Sequence, residues 1–233
     1  MASRLGLISG YSFGWGVLSA EALIEHAKHL GITCCAVCDY DTIAGYPRLR
    51  EVADEEGIKL ILGCRLTEGE ETIFAFVQDQ KGYEELCTLL SKRYNDPNFS
   101  YLPDLQTTSL ILATTSERLL EAIHTPYLYR ALMSNHLSRG NTSHPLLAIE
   151  PNFLRSEKDR LIHKTLKAIA RNTTVGTLSE RAYSSTGHIL TDQQSFEAHF
   201  APWPEAIAHA DALLPYDPFP KEYIFPTFVP ESG

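Results

Sequence analysis

The run from Gly31 to Arg65, GITCCAVCDYDTIAGYPRLREVADEEGIKLILGCR, limits what this chain can fold into more than any other stretch. Two apolar segments, Ile32–Cys38 and Leu60–Leu62, each break off at polar residues, and a segment with helical periodicity joins them. That is a strand, helix, strand unit. Nearly every position of both strands is apolar, the pattern of a parallel strand covered on both faces. Such folds bind ligands beyond the carboxyl ends of their strands, where several loops converge. Here those ends are expected at Asp39-Tyr40-Asp41 and at Cys64-Arg65.

The rest of the chain repeats the alternation. Leu5–Ser9 reads as a first strand. Ser19 caps a helix with Ala20, Leu23, Ile24, Ala27 and Leu30 inward, and Gly31 stops it. A second helix is expected over Gly45–Glu56 with Pro47 in its first turn, then a strand over Lys59–Gly63. Thr72–Val77 is a further strand, and Tyr83, Leu86, Cys87 and Leu90 mark a third helix. Asn95–Leu105 reads as loop, and its irregular polar surface from Ser91 onward is a candidate docking area. Ser109–Ala113 and Leu146–Glu150 are strands, Glu117–Ile123 is a short helix, and Tyr127–His144 fits helix or strand. Ser156–Arg171 is a helix expected to turn Leu161, Ile162, Leu166 and Ile169 inward and its Lys and Arg outward. A strand near His188–Leu190, a short helix after Thr191 and a helix over Pro204–Leu213 complete the pattern. This order fits an open doubly wound sheet or a barrel, and the absence of a glycine-rich phosphate loop after the first strand counts against a dinucleotide fold.

Composition narrows the function. A net charge of −9 over 233 residues speaks against direct nucleic-acid binding, which needs Lys and Arg to neutralise phosphates. Five cysteines, three of them in one buried strand, suit a reducing cytoplasm better than a disulfide framework. No apolar run is long enough for a membrane span. Residues 1–215 are expected to form one domain, with 216–233 as a Pro-rich extended segment leading to a further body or ending the chain.

Several motifs, in order, resemble one family. Helix one followed by LGITCCAVCDYDTIAGYPRLREVADEEGIKLILGC, then FVQDQKGYEELCTLLS, SLILATTS, PLLAIEPNFL, PEAIAHADALL and FPTFVPESG, are similar to the N-terminal polymerase-and-histidinol-phosphatase (PHP) domain of bacterial DNA polymerase III alpha subunits. The resemblance implies a distorted seven-stranded β/α barrel. Active members hold two or three metal ions on His, Asp and Glu side chains. Carried over, those positions fall on Gly6, Ile8, Asp39, Tyr40, Arg65, Thr72, Glu150 and Asn152. Only Asp39 and Glu150 keep a carboxylate, and a guanidinium at a ligand position repels dications.

The resemblance therefore implies a catalytically inactive domain with no cofactor, serving as a structural and protein-docking module in DNA replication or translesion synthesis. Its parent chain would be a DNA-directed DNA polymerase. Its partners would be the polymerase body and a proofreading exonuclease or other replisome subunit. The alternative is a metal-dependent phosphoesterase or 3′–5′ exonuclease whose reduced site, Asp39, Asp41 and Glu150, holds Mg²⁺ or Mn²⁺. Against it, Asp39 and Glu150 are expected to pair with Arg65. A third reading places an anion beside Arg65. His26 and His29 are expected on a solvated helix face, Cys35 and Cys38 in the core, and Cys64 as the one thiol to test for reactivity. Ser9, Ser12, Thr114, Thr115 and Ser116 are expected to cap helices or close turns.

Overall fold

The computed structural model describes residues 2–134, 137–138, 140, 143–179 and 188–219. One seven-stranded sheet runs in sequence order: β1 Arg4–Leu7, β2 Cys34–Tyr40, β3 Lys59–Glu68, β4 Glu71–Phe76, β5 Ile111–Thr114, β6 Leu128–Met133 and β7 Leu146–Ile149. It curls until its edges meet. The Glu150 amide donates to the Leu5 carbonyl and the Ile8 amide to the Asn152 carbonyl, each at 2.8 Å, so β1 closes onto the end of β7. The barrel form of the two expected architectures is the one adopted.

The strands are not all parallel as their apolar runs suggested. β4 is antiparallel to both β3 and β5, while the remaining neighbours are parallel. The cause is a two-residue turn, Gly69-Glu70, with Gly69 at φ +64°. It lets β3 run on to Glu68, five residues past its expected end at Gly63. Arg65 is thus a strand residue inside the barrel wall rather than a loop residue beyond it.

Side chains alternate between two cores. Ala36, Cys38, Ile61, Phe74, Phe76, Ala113, Ala131, Leu147 and Ile149 fill the barrel together with Leu5 and with Phe196 and Phe200 of a late helix. Cys35, Val37, Leu60, Leu62, Ile73, Ala75 and Leu112 face outward against the helices. Those helices are α1 Ala20–His29, α2 Tyr46–Glu56, α3 Gln80–Asn95, α4 Glu117–Ala122, α5 Arg160–Ala170, α6 Gln193–Phe200 and α7 Pro204–Asp211. Ser19 caps α1 through the Ala22 amide, as read from sequence, and Asp79 caps α3 through Gly82. No helix among the described residues is long and apolar enough to cross a membrane.

One helix faces the wrong way for its pattern. α5 buries His163, Lys167 and Ala168, whereas Leu161 is 68% exposed, Ile162 53% and Ile169 59%. Three of the four residues expected inward are outward, and the fourth, Leu166, is half-buried. Of the C-terminal segment, 216–219 are described: Tyr216 and Phe219 pack against the outer core beside Tyr46 and Tyr83. Residues 220–233, and the strap expected there, lie outside the described residues.

Candidate functional site

The alternation that fills the barrel brings the sequence-marked positions to one end of it. Gly6 sits at a register shift in β1 with φ +93°, and a Cβ placed there would lie 2.7 Å from Ile149 Cγ2 and 3.4 Å from the Phe74 ring. Ile8 packs with Tyr40, Trp15 and Phe153. The Arg65 guanidinium lies 4.8 Å from the Tyr40 ring and 4.7 Å from the Phe74 ring, and its Nε donates to Thr72 Oγ1 at 3.3 Å. Gly6 and Arg65 thus share Phe74 as a neighbour, and Arg65 reaches Tyr40 and Thr72. What meets there is packing and one guanidinium.

The stack continues outward. Tyr40 lies on Trp15 with centroids 4.6 Å apart and planes 20° from parallel, and Lys167 Nζ sits 2.7 Å over the far ring of the series, Trp15. Phe74, Arg65, Tyr40, Trp15 and Lys167 form a ladder in which the Arg65 cation lies between Phe74 and Tyr40, and Lys167 lies beyond the stacked Tyr40–Trp15 pair. Phe153 packs beside it, 4.6 Å from the His163 ring and 4.5 Å from that of His188. This explains the reversal of α5. His163 Nδ1–H donates to the Trp15 carbonyl at 2.8 Å and Lys167 covers the Trp15 face, so the polar stripe has specific partners inside while the apolar stripe is left outside.

The two retained carboxylates are occupied by protein groups. Asp39 accepts from the Ser9 amide at 2.8 Å, Ser9 Oγ at 2.6 Å and Ser12 Oγ at 2.7 Å. Burial pushes its carboxyl up and these hydrogen bonds pull it back. Ser9 and Ser12 thus hold the β1 loop to the end of β2, a larger role than the turn closure expected of them. Glu150 Oε2 pairs with Arg4 Nη1 at 2.8 Å, both side chains essentially fully buried, and its Oε1 accepts from the Thr191 amide and hydroxyl. The expected pairing of Arg65 with Asp39 and Glu150 is not formed. Arg4, unremarked in the sequence, takes Glu150, and it lies 3.7 Å over the Phe196 ring. Asp41, the third candidate, is held by the Thr67 amide and hydroxyl and by Tyr101 Oη.

These residues do not fit a metal centre. The described residues bring no three His, Cys, Asp or Glu side chains into a metal-holding group. The space beside Gly6 is filled by Ile149 and Phe74, and Arg65 puts a positive charge at the mouth. Asn152, the last carried-over position, donates through Nδ2 to the Leu154 and His188 carbonyls. Cys64 is buried, its thiol donates to the Asp39 carbonyl at 3.4 Å, and burial raises it well above the usual thiol range, so reactivity is not expected. Cys35 and Cys38 are core residues, as read, while His26 is half-buried on α1 and His29 exposed.

The histidines give the mouth a pH response. Burial lowers His163 from 6.5 to about 4, against the raising effect of its hydrogen bond to Trp15, and burial also takes His188 to about 4 with the Arg65 charge assisting. Between pH 6.5 and 4 the unfolded chain therefore binds more protons at these sites, so their contribution to stability falls as pH falls through that window. For the fully buried His163 the loss is expected to reach about 3 kcal/mol at pH 4. Urea unfolding against pH checks it: His163→Phe should remove that part of the slope, and an unchanged slope would refute the assignment. Lys167, lowered by burial to about 7, adds stability as pH rises from there toward 10.5.

The PHP domain model matches residues 5–175. The chain belongs to the PHP domain family. Among curated relatives, error-prone DNA polymerase 1 of Agrobacterium fabrum is 36% identical over 90 residues, covering 38% of this chain and 8% of the relative. The error-prone DNA polymerase of Pseudomonas fluorescens is 34% identical over 91 residues, covering 39% and 9%. The chain thus spans less than a tenth of the length of these relatives. A solved structure from Bifidobacterium adolescentis, assigned as a metal-dependent phosphoesterase, overlays with a TM-score of 0.43 at 13% identity, covering 85% of this chain and 95% of that one.

Proposed function

We propose that this chain is a catalytically inactive PHP domain of a DNA polymerase III alpha-type polymerase, acting as a structural and docking module in cytoplasmic DNA replication or translesion synthesis. The observation that carries this reading is the replacement of ligand side chains by packing groups and a guanidinium. Where the family's metal ligands would stand, Gly6, Ile8, Tyr40, Arg65 and Thr72 bring packing and a guanidinium instead. A hydrolase with a reduced carboxylate site needs lone pairs free to take a cation, and those of Asp39 and Glu150 are already engaged.

The docking role finds support in α5. Leu161, Ile162 and Ile169 form an outward apolar strip. Lys158, Arg160, Lys164 and Arg171 flank the strip in a chain of net charge −9. Such a face suits a partner surface that is apolar at its centre and acidic at its edge. We assign it to the polymerase body, since over nine-tenths of each relative's length lies outside the matched region. The Ser91–Leu105 region suits docking less, because Tyr101 and Leu105 are fully buried and Glu68 accepts from Ser100 and from the Tyr101 amide.

The test is binding to the purified alpha-type polymerase subunit of the same genome, followed by sedimentation. Ile162→Glu combined with Ile169→Glu should weaken the complex at least about tenfold while leaving the fold intact, as both side chains are exposed. Equal affinity of variant and parent, or no complex at all, would refute the docking assignment.

A further inference from the structure

We propose that Arg65 binds a small oxyanion of the phosphate class at the mouth of the barrel, through the edge of its guanidinium. Arg65 is only 9% exposed, yet no Asp or Glu oxygen among the described residues lies within 4 Å of it. The nearby carboxylates are engaged elsewhere: Asp39 with Ser9 and Ser12, Asp41 with Thr67 and Tyr101, and Glu150 with Arg4 and Thr191. Among the described residues Arg65 is a buried cation without a counter-ion, a costly arrangement that an anion relieves.

The geometry fixes how the anion would approach. Tyr40 and Phe74 lie within 5 Å of the guanidinium carbon over their ring faces, and Nε is turned to Thr72. The two terminal nitrogens carry no hydrogen bond to a described residue and are not sealed from solvent. Their in-plane N–H groups form the fork that matches two oxygens of a phosphate, sulfate or carboxylate. With Arg65 only 9% exposed, a free ion or a terminal phosphoryl group suits it better than a polymer backbone. The Arg65 charge supplies a local positive field that attracts such an ion.

The inference rests on the reading that protein groups, not metals, occupy the mouth, and the experiment separates the two. Calorimetric titration with inorganic phosphate is run in excess EDTA at constant ionic strength, with chloride as the background anion and a nucleoside monophosphate as a second titrant. Saturable binding of one phosphate per chain is expected, unaffected by EDTA and weakened at least about tenfold in Arg65→Gln. Arg65→Lys, which keeps the charge without the fork, should fall between. Binding of the nucleotide as well would identify a phosphoryl group as acceptable, and binding of phosphate alone a free ion. Phosphate binding that EDTA abolishes would overturn both this inference and the inactive-domain reading. Absence of heat with the parent protein, or equal binding by parent and Arg65→Gln (an adventitious ion only), would overturn this inference and leave that reading standing. Should Arg65→Gln fail to fold, the parent titration and Arg65→Lys decide.

Discussion

Glu150→Ala is expected to destabilise the domain by about 3–5 kcal/mol, because it leaves the Arg4 guanidinium buried with no opposing charge. Arg4 is fully buried, its Nη1 is paired only with Glu150 Oε2 at 2.8 Å, and its Nε and Nη2 have no hydrogen-bond partner. Burial already lowers Arg4 despite the attraction of Glu150, so removing that attraction strands a charge in an apolar setting. The same carboxylate also accepts from the Thr191 amide and hydroxyl, and these donors would be orphaned together. Urea unfolding reads the loss. The double variant Arg4→Met with Glu150→Leu should recover most of it, since replacing both members of a buried pair by apolar groups of similar size is nearly neutral. A single variant as stable as the parent would mean that the pair is not formed.

Gly6→His, which restores an imidazole at the first carried-over position, is expected to cost about 2–5 kcal/mol rather than rebuild a ligand. Two penalties add. At φ +93° a side chain is strained, by about 1–2 kcal/mol, and overfilling a packed core costs about 1–3 kcal/mol. Here the new Cβ alone would stand 2.7 Å from Ile149 Cγ2. Gly6→Ala should show most of the same loss, which separates backbone and Cβ strain from the imidazole itself. A stable Gly6→His protein would show that Ile149 and Phe74 do not fill the space beside Gly6.

The barrel was legible because strands such as Cys34–Tyr40, buried on both faces, print an unbroken apolar run whatever the rest of the chain does. The end of β3 was not, because Arg65, Thr67 and Glu68 look like loop residues. Their strand conformation comes from antiparallel pairing with β4, and the one local signal for it was the glycine of the Gly69-Glu70 turn. The orientation of α5 was illegible for a different reason. Periodicity gives the axis that divides two faces but not which face is inside. That choice was made by Trp15, a loop residue far away in sequence, whose ring and carbonyl receive Lys167 and His163.

The site was half legible. Arg65 lies beside Tyr40 and Thr72, and Gly6 and Arg65 share Phe74 as a neighbour, because position along a strand fixes which end of the barrel a side chain reaches. The partners of the carboxylates were not legible. The charge expected to answer Glu150 was Arg65, whereas Arg4, at the far end of β1 in sequence, reaches it across the seam where β1 closes on β7. No run of residues announces a contact made by barrel closure. Ser9 and Ser12 looked like turn residues, and their grip on Asp39 follows from where the β1 loop folds back.

The most direct measurement is the metal content of the purified domain, by elemental analysis after incubation with Mn²⁺ and Zn²⁺ and dialysis, in the parent and in Gly6→His. The account predicts well under one ion per chain in both, with no rise in unfolding temperature on adding either metal. Two or more ions held per chain by the parent would contradict it, and the packed rings, Arg65 and the Arg4–Glu150 pair could not then be what occupies the mouth.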